Sequence, residues 1–266
     1  MSRIHPTAII DPQARLAPDV VVGPGCIIDG PVQLGEGTRL MAHVFLQGPL
    51  SIGRNNTIYP HACLGYSPQD RKYALDDPGP GVVIGHGNTF REGCTIHRAT
   101  KDKPTTIGDD NYLMVNSHVG HDSVMGDHCT MTNGSVLGGH VQLGDNVTLG
   151  GNAGVHQFCR VGRLAMISGN EGISRDLPPF CVCYHTRRVG SLNLVGLRRA
   201  GLRQHIDPLK QAFNIFFRKQ HSNTRALRLI DEQLGDDPLC REFAQFIRQT
   251  RRGITTYATS RTSHAE

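Results

Sequence analysis

The sequence predicts a mainly β solenoid, a parallel β-helix, followed by a small helical domain. Three observations carry that reading. Stepping six residues at a time from Ile107 to Ile173 meets twelve residues, all apolar and none aromatic. A helix repeats every 3.6 residues and a simple strand every two, so neither gives a strict period of six. A prism that takes one aliphatic side chain inward per face does, and such hexads mark a β-helix. Secondly, twelve of the 31 Gly directly follow an inward aliphatic, as at Gly23, Gly108 and Gly120. A corner there calls for an unusual backbone angle or for no side chain. Thirdly, after Gly196 the apolar spacing changes to three and four, as in Leu209, Ala212, Phe213, Phe216 and Phe217, which is the mark of amphipathic helices.

The hexads open almost at once, running from Ile4 through Val22 and Leu46 to Leu64. They break over residues 66–82, where SPQDRKYALDDPGPG is dense in turn residues and charges, so this is a loop leaving the solenoid. The register resumes at Ile84, Phe90 and Ile96, slips in a second excursion over 98–106, then runs unbroken to Ile173. Three hexads make one coil of 18 residues, and 26 hexads give between eight and nine coils. The β-helix is expected to occupy 1–178, closed by Pro178–Pro179. A connector over 179–195 leads to about three helices over 196–253. Asp207 before Pro208 and Asp237 before Pro238 fit N-caps followed by proline, and Gly235 fits a helix stop. The tail, 254–266, is expected to be disordered.

Composition narrows the function. No 18-residue apolar run and no signal peptide is present, which points to a cytoplasmic protein without membrane insertion. The eight Cys form no CxxC and no disulfide framework, and most sit within hexads, where Cys serves as a small apolar residue. Charge is split: residues 187–266 hold 15 Lys+Arg against 7 Asp+Glu, the first 186 residues 13 against 16. The basic end suits an acidic partner. The first loop holds Gln69, Asp70, Arg71 and Lys72, groups able to hold an anionic or sugar ligand.

Stacking at 18 residues per coil, with strands ~4.8 Å apart, predicts neighbours. Gly139 falls above His121 and His140 above Asp122. Gly138 falls above Gly120, and His156 above Gly138. His118 lies near the same corner. His121 is therefore the candidate general base, Asp122 the carboxylate that orients its ring, and the Gly139 N–H a donor for the oxyanion of acyl transfer. No nucleophilic Ser or Cys is needed if the base activates the acceptor hydroxyl. Two other readings remain open at this point: a zinc site, since His clusters bind zinc, and unrelated surface histidines.

The motifs GYSPQDRKYA, TIHRAT at 95–100, NSHVGHD at 116–122, GGHV at 138–141, GVHQFCRVG at 154–162 and NLVGLRRAGL at 193–202, in this order, resemble the UDP-N-acetylglucosamine O-acyltransferases of lipid A biosynthesis. The resemblance covers nearly the whole chain. It implies a left-handed parallel β-helix (a hexapeptide-repeat solenoid) followed by a small α-helical C-terminal domain, in a homotrimer with active sites between subunits. It implies transfer of a 3-hydroxyacyl chain from acyl carrier protein to the 3-hydroxyl of UDP-N-acetylglucosamine. No cofactor or metal of its own is implied, the phosphopantetheine arm belonging to the carrier. His121, Asp122 and Gly139 match the family's catalytic positions. Gln69, Asp70, Lys72, His118, His140, His156, Gln157, Asn193 and Arg199 match substrate-binding positions, and Gly169 the place where the acyl chain is measured. The basic C-terminal domain would receive the acidic carrier. Val195 stands where the family has a carboxylate, and Ala200 where it has a second basic residue. The rivals are an N-acyltransferase on a UDP-amino-sugar, a hexapeptide-repeat carbonic anhydrase of the γ type, and a non-catalytic scaffold. The anhydrases show two His five residues apart, a spacing that no pair among these 14 His has. No nucleic-acid partner is expected.

Overall fold

The computed structural model describes residues 3–74, 77–184, 187–219 and 221–258. The hexads fold into a three-faced parallel β-helix. Each supplies one short strand, and every third strand stacks on the same sheet. One sheet has 11 strands, of which the last, Arg188–Leu192, is antiparallel, and the other two have nine and eight. The twelve inward residues from Ile107 to Ile173 are all buried, each worth about 1.5–3 kcal/mol relative to exposure. The lower end differs. Ile4 is 46% exposed and Ile10 and Leu16 are half-buried, because no coil lies beneath them.

The hexad carries two further rules. Two residues before an inward aliphatic sits a smaller inward residue. Cys94, Ser117, Ser135 and Ala153, which precede Ile96, Val119, Leu137 and Val155, are fully buried. Cys26, Cys129 and Cys159 occupy the same kind of position, so these scattered cysteines are corner fillers. Burial pushes the Cys94 and Cys129 thiols up to about 12, so neither offers a thiolate at neutral pH. Three residues after the inward aliphatic, the backbone turns through the left-handed region. Asn116, Asp122, His128, Gly134, His140, Asn146 and Asn152 have φ from +55° to +69°, and Asn, Asp and His tolerate this region better than most side chains. Except at Gly65 (φ +88°), the glycine directly after the aliphatic serves close approach and not the unusual angle. A Cβ on Gly120 would come within 2.8 Å of the Gly138 carbonyl carbon and the Gly139 nitrogen of the next coil.

The solenoid runs further than the hexads do. Residues 179–195, expected to be a connector, add Cys181–Tyr184 as another parallel layer on Met166–Ile167, and then the antiparallel Arg188–Leu192. Valine and cysteine alternating between faces can extend a sheet without a hexad.

Four α-helices follow among the described residues, where about three were expected. They are α1 (Leu194–Arg199), α2 (Ile206–Phe213), α3 (Asn223–Leu234) and α4 (Pro238–Arg248). The first starts inside the expected connector and is capped by Asn193, whose side chain accepts from Gly196 N–H at 2.9 Å. Asp237 caps α4 as expected, accepting from Leu239 and Cys240 N–H. Asp207 does not cap α2, which begins two residues earlier than that cap would allow, at Ile206 after His205. Gly235 ends α3 with φ −62°, so no left-handed cap is formed there. One π-helical turn, Asn214–Arg218, continues α2 and clusters Phe213, Phe216 and Phe217 against Phe243 and Tyr257.

The first described part of the tail is ordered against the solenoid, contrary to expectation. Asp176 bridges to Ile254 and Val189 to Tyr257. Residues 259–266 lie outside the described residues. Among the described residues, no helix is long and apolar enough to cross a membrane.

Candidate active site

The three catalytic candidates meet. Stacking sets His118 beneath Val136, Gly154 and Gly172 on one outward column of the nine-stranded sheet. His121 and Asp122 occupy the next corner of the His118 coil, and Asp122 takes its left-handed turn position (φ +60°). Its carboxylate is nearly buried. Oδ2 lies 2.6 Å from His121 Nδ1 and accepts from Thr100 Oγ1 at 2.7 Å. Oδ1 accepts from the Thr100 and Lys101 N–H groups at 3.0 and 3.2 Å. An ionised carboxylate only accepts, so the shared proton sits on His121 Nδ1 and the lone pair on Nε2. Burial raises the Asp122 pKa, but the hydrogen bonds from His121 and Thr100 outweigh it and hold the carboxyl below its ordinary range.

Gly139 lies directly over this ring. A Cβ there would come within 2.7 Å of His121 Cε1 and Nε2. Its N–H makes no hydrogen bond among the described residues. Corner positions such as Asn133 share that property; what sets Gly139 apart is the imidazole beside it. His140 packs edge-on against His121 with ring centroids 5.2 Å apart, and its Nε2 is 3.6 Å from Asp122 Oδ2.

A cavity of about 660 Å³ opens on this arrangement. Gln69, His118, His121, Gly139, His156 and Gln157 all line it, so the structure brings these six expected residues together. Its upper half is floored by Gly154 and Gly172, which leave the sheet face bare, and ends at Ser174 and Arg187.

Other expected residues lie apart within one chain. Asp70 and Lys72 are exposed and bond within their own loop, Lys72 N–H donating to Asp70 Oδ1 at 2.9 Å. His140 opens into a separate cavity of about 980 Å³ with Phe158, Arg160 and Arg252. Asn193 and Arg199 line a third, also about 980 Å³, between the solenoid and helices α1 and α2. Gly169 is an exposed corner, outside the His121 cavity.

Sequence reasoning missed three residues of TIHRAT. His97 is buried, lines the cavity and packs edge-on against His118, centroids 4.8 Å apart. Thr100 clamps Asp122. Arg98 ties the two excursions together by bonds to Gln47, Ser67 and the Asp77 carbonyl. Both excursions thus build the site: the first brings Gln69, the second holds the carboxylate. The signal was the motif itself, an arginine and a threonine in an otherwise apolar register.

The histidines around the base are kept neutral. Burial, then the repulsion that a proton on His118 or His121 would exert, pushes His97 down to about 4. Burial, then His121, lowers His118. Burial lowers His140 against the pull of Asp122. His121, Asp122 and His140 are close enough to hold a metal ion. However, 2.6 Å between the first two fits a shared proton better than two ligands of one tetrahedral ion, which at Zn–N and Zn–O of ~2.1 Å stand further apart.

Comparison with known proteins decides the family. Residues 176–255 match the family described as UDP N-acetylglucosamine O-acyltransferase, domain 2. Residues 104–139 match the bacterial transferase hexapeptide repeat. An acyl-[acyl-carrier-protein]–UDP-N-acetylglucosamine O-acyltransferase of Anaeromyxobacter sp. (strain Fw109-5) is 41% identical over 256 residues, covering 95% of this chain and 99% of its own. The chain belongs to the UDP-N-acetylglucosamine O-acyltransferase family. A second relative, of the same description, from Thermodesulfovibrio yellowstonii is 42% identical over 258 residues, covering 96% of this chain and 99% of its own. The crystal structure of the UDP-N-acetylglucosamine O-acyltransferase from Moraxella catarrhalis RH4 superposes with a TM-score of 0.90 at 35% identity, covering 95% of this chain and 99% of that one.

Asp122 gives this family site a testable pH signature. Its folded pKa is depressed. It therefore stabilises the fold above the ordinary carboxylate range near ~4, and that contribution is lost as pH falls through the lower folded value. Below about pH 4 the melting temperature of the wild type is expected to fall more steeply than that of Asp122→Asn. Asn keeps the left-handed turn. Equal slopes would show that the carboxylate is not held as described.

Proposed function

We propose that this chain transfers a 3-hydroxyacyl group from acyl carrier protein to the 3-hydroxyl of UDP-N-acetylglucosamine, the first step of lipid A synthesis. The single observation that carries the mechanism is His121 between Asp122 and Gly139. Nε2 takes the proton of the acceptor hydroxyl as its oxygen attacks the thioester carbonyl. The resulting oxyanion accepts from the Gly139 N–H. Collapse breaks the carbon–sulfur bond, and the thiolate of the carrier's phosphopantetheine leaves with the proton that His121 took. Asp122 stabilises the imidazolium in between, and the neutral neighbours add no opposing charge. No acyl-enzyme forms, in keeping with the inert corner thiols. The protein supplies no cofactor, and no metal or nucleic acid takes part.

The glycine-floored upper part of the cavity suits an unbranched acyl chain. Asn193 and Arg199 stand in a different cavity of the same chain, which supports a homotrimer in which a neighbour brings them to His121. Asp70 and Lys72 would face the nucleotide sugar, and Gly169 would lie near the chain end, in that assembly. The basic C-terminal domain suits the acidic carrier, and the reaction belongs in the cytoplasm.

Mass spectrometry of a reaction with UDP-N-acetylglucosamine and a series of 3-hydroxyacyl carrier proteins tests the reading. A product one acyl group heavier and released by mild alkali is expected. An alkali-stable product would mean an amide, and no product with any donor would overturn acyl transfer to this sugar.

A further inference from the structure

The C-terminal strap enters the site. One buried aspartate holds it on both sides of Arg252, its carbonyl also accepting from Thr255 N–H at 2.9 Å. Asp176, 1% exposed, accepts from Thr250 Oγ1 at 2.8 Å and donates its N–H to the Gly253 carbonyl at 2.9 Å. Between these two pins lies Arg252. Its Nη2 donates to the Ser174 carbonyl at 3.2 Å and lies 3.2 Å from His156 Nδ1. His156 lines the His121 cavity, and Arg252 lines the neighbouring one.

We propose that Arg252 is a positioning residue that fixes His156 with its proton on Nε2, so that His156 presents an N–H donor to the bound sugar nucleotide. A guanidinium is permanently charged and can only donate. His156 Nδ1 must therefore offer a lone pair to Arg252. The same Nδ1 lies 3.2 Å from the Gln157 carbonyl, which could take a proton only from the other tautomer. The two contacts exclude each other in a neutral ring. A hydrogen bond from a charged donor is roughly twice as strong as a neutral one, so the Arg252 contact prevails. The proton is left on Nε2, the right polarity for phosphate, carbonyl and hydroxyl oxygens of a nucleotide sugar. Without Arg252 the Gln157 carbonyl draws the proton to Nδ1, and Nε2 meets those oxygens with a lone pair.

The inference rests on the acyl-transfer reading for its ligand, but its first readout does not. In protein labelled with 15N-histidine, the imidazole nitrogen shifts of His156, assigned by their loss in His156→Gln, report which nitrogen carries the proton. The wild type is expected to show the Nε2–H form. Arg252→Ala is expected to show the Nδ1–H form, with kcat/KM for UDP-N-acetylglucosamine about tenfold lower, the loss of one good hydrogen bond, and an unchanged melting temperature. Arg252→Lys, still a charged donor, keeps the wild-type tautomer and most of the activity. Thr250→Val, which loosens the strap but spares the guanidinium, shifts the same resonances part of the way. An Arg252→Ala protein with the wild-type tautomer, or an unmoved Thr250→Val spectrum, overturns the assignment. A wild type that shows the expected tautomer yet does not turn over the sugar nucleotide would sink the functional reading alone.

Discussion

His121→Ala lowers kcat about 1,000-fold, within the range a positioned general base contributes, while the protein keeps its melting temperature and elution volume. The reason is local. Asp122 fixes Nδ1 as the protonated nitrogen at 2.6 Å, so Nε2 is the lone pair of this ring free to take the hydroxyl proton. Of the other imidazoles lining the cavity, His118 and His97 are held neutral chiefly by burial. They could in principle accept a proton, but His118 Nδ1 is already shared with Thr95 Oγ1 at 2.8 Å, and neither ring has a carboxylate behind it to stabilise the charge. The substitution leaves the fold alone because His121 sits outside the core. Rapid-quench measurement of the ester product reads the effect. A loss under tenfold would move the base elsewhere in the cluster.

Gly139→Ala lowers kcat about 100-fold with little change in the KM for the sugar nucleotide. The peptide N–H survives this change, so the loss comes from geometry. The added methyl would stand 2.7 Å from His121 Cε1 and Nε2, and the ring must swing away by about 1 Å, a displacement that can cost a factor of about 100 in rate. Gly139 has no left-handed backbone, so stability should hardly move. Gly151→Ala, at the equivalent place two corners further along the chain, has its nearest foreign atom 3.7 Å off and serves as the control that leaves kcat unchanged. Equal effects at the two positions would mean that a corner methyl disturbs the solenoid generally, and the oxyanion role of Gly139 would lose its support.

Much of this site was legible because the solenoid is nearly a ruler. With one inward aliphatic every six residues and 18 per coil, residues far apart in sequence are assigned to neighbouring coils by subtraction alone. That is how Gly139 was placed over His121 and His140 near Asp122, and both placements hold in three dimensions. The same arithmetic put His121, His140 and His156 on one strip with His118 near its corner; His118, His121 and His156 line the cavity, whereas His140 opens into the neighbouring one. Local helix chemistry was also readable at Asp237, where the carboxylate caps α4. It failed at Asp207, because the preceding short 3₁₀ turn, Arg203–His205, lets the helix start two residues early, at Ile206.

Periodicity and local residue type determined the solenoid, its inward ladder and the stacking of His121, Asp122 and Gly139, since each depends on short-range geometry repeated along the chain. Only the tertiary structure decided what the irregular segments do. The excursion holding Thr100 clamps Asp122, Arg98 joins it to the first loop, and the strap carries Arg252 back to His156 across 96 residues. No period links those positions. Their partners are fixed by buried polar groups, the Asp122 and Asp176 carboxylates, which must find donors wherever the chain can bring them because an unpaired buried charge is too costly to leave.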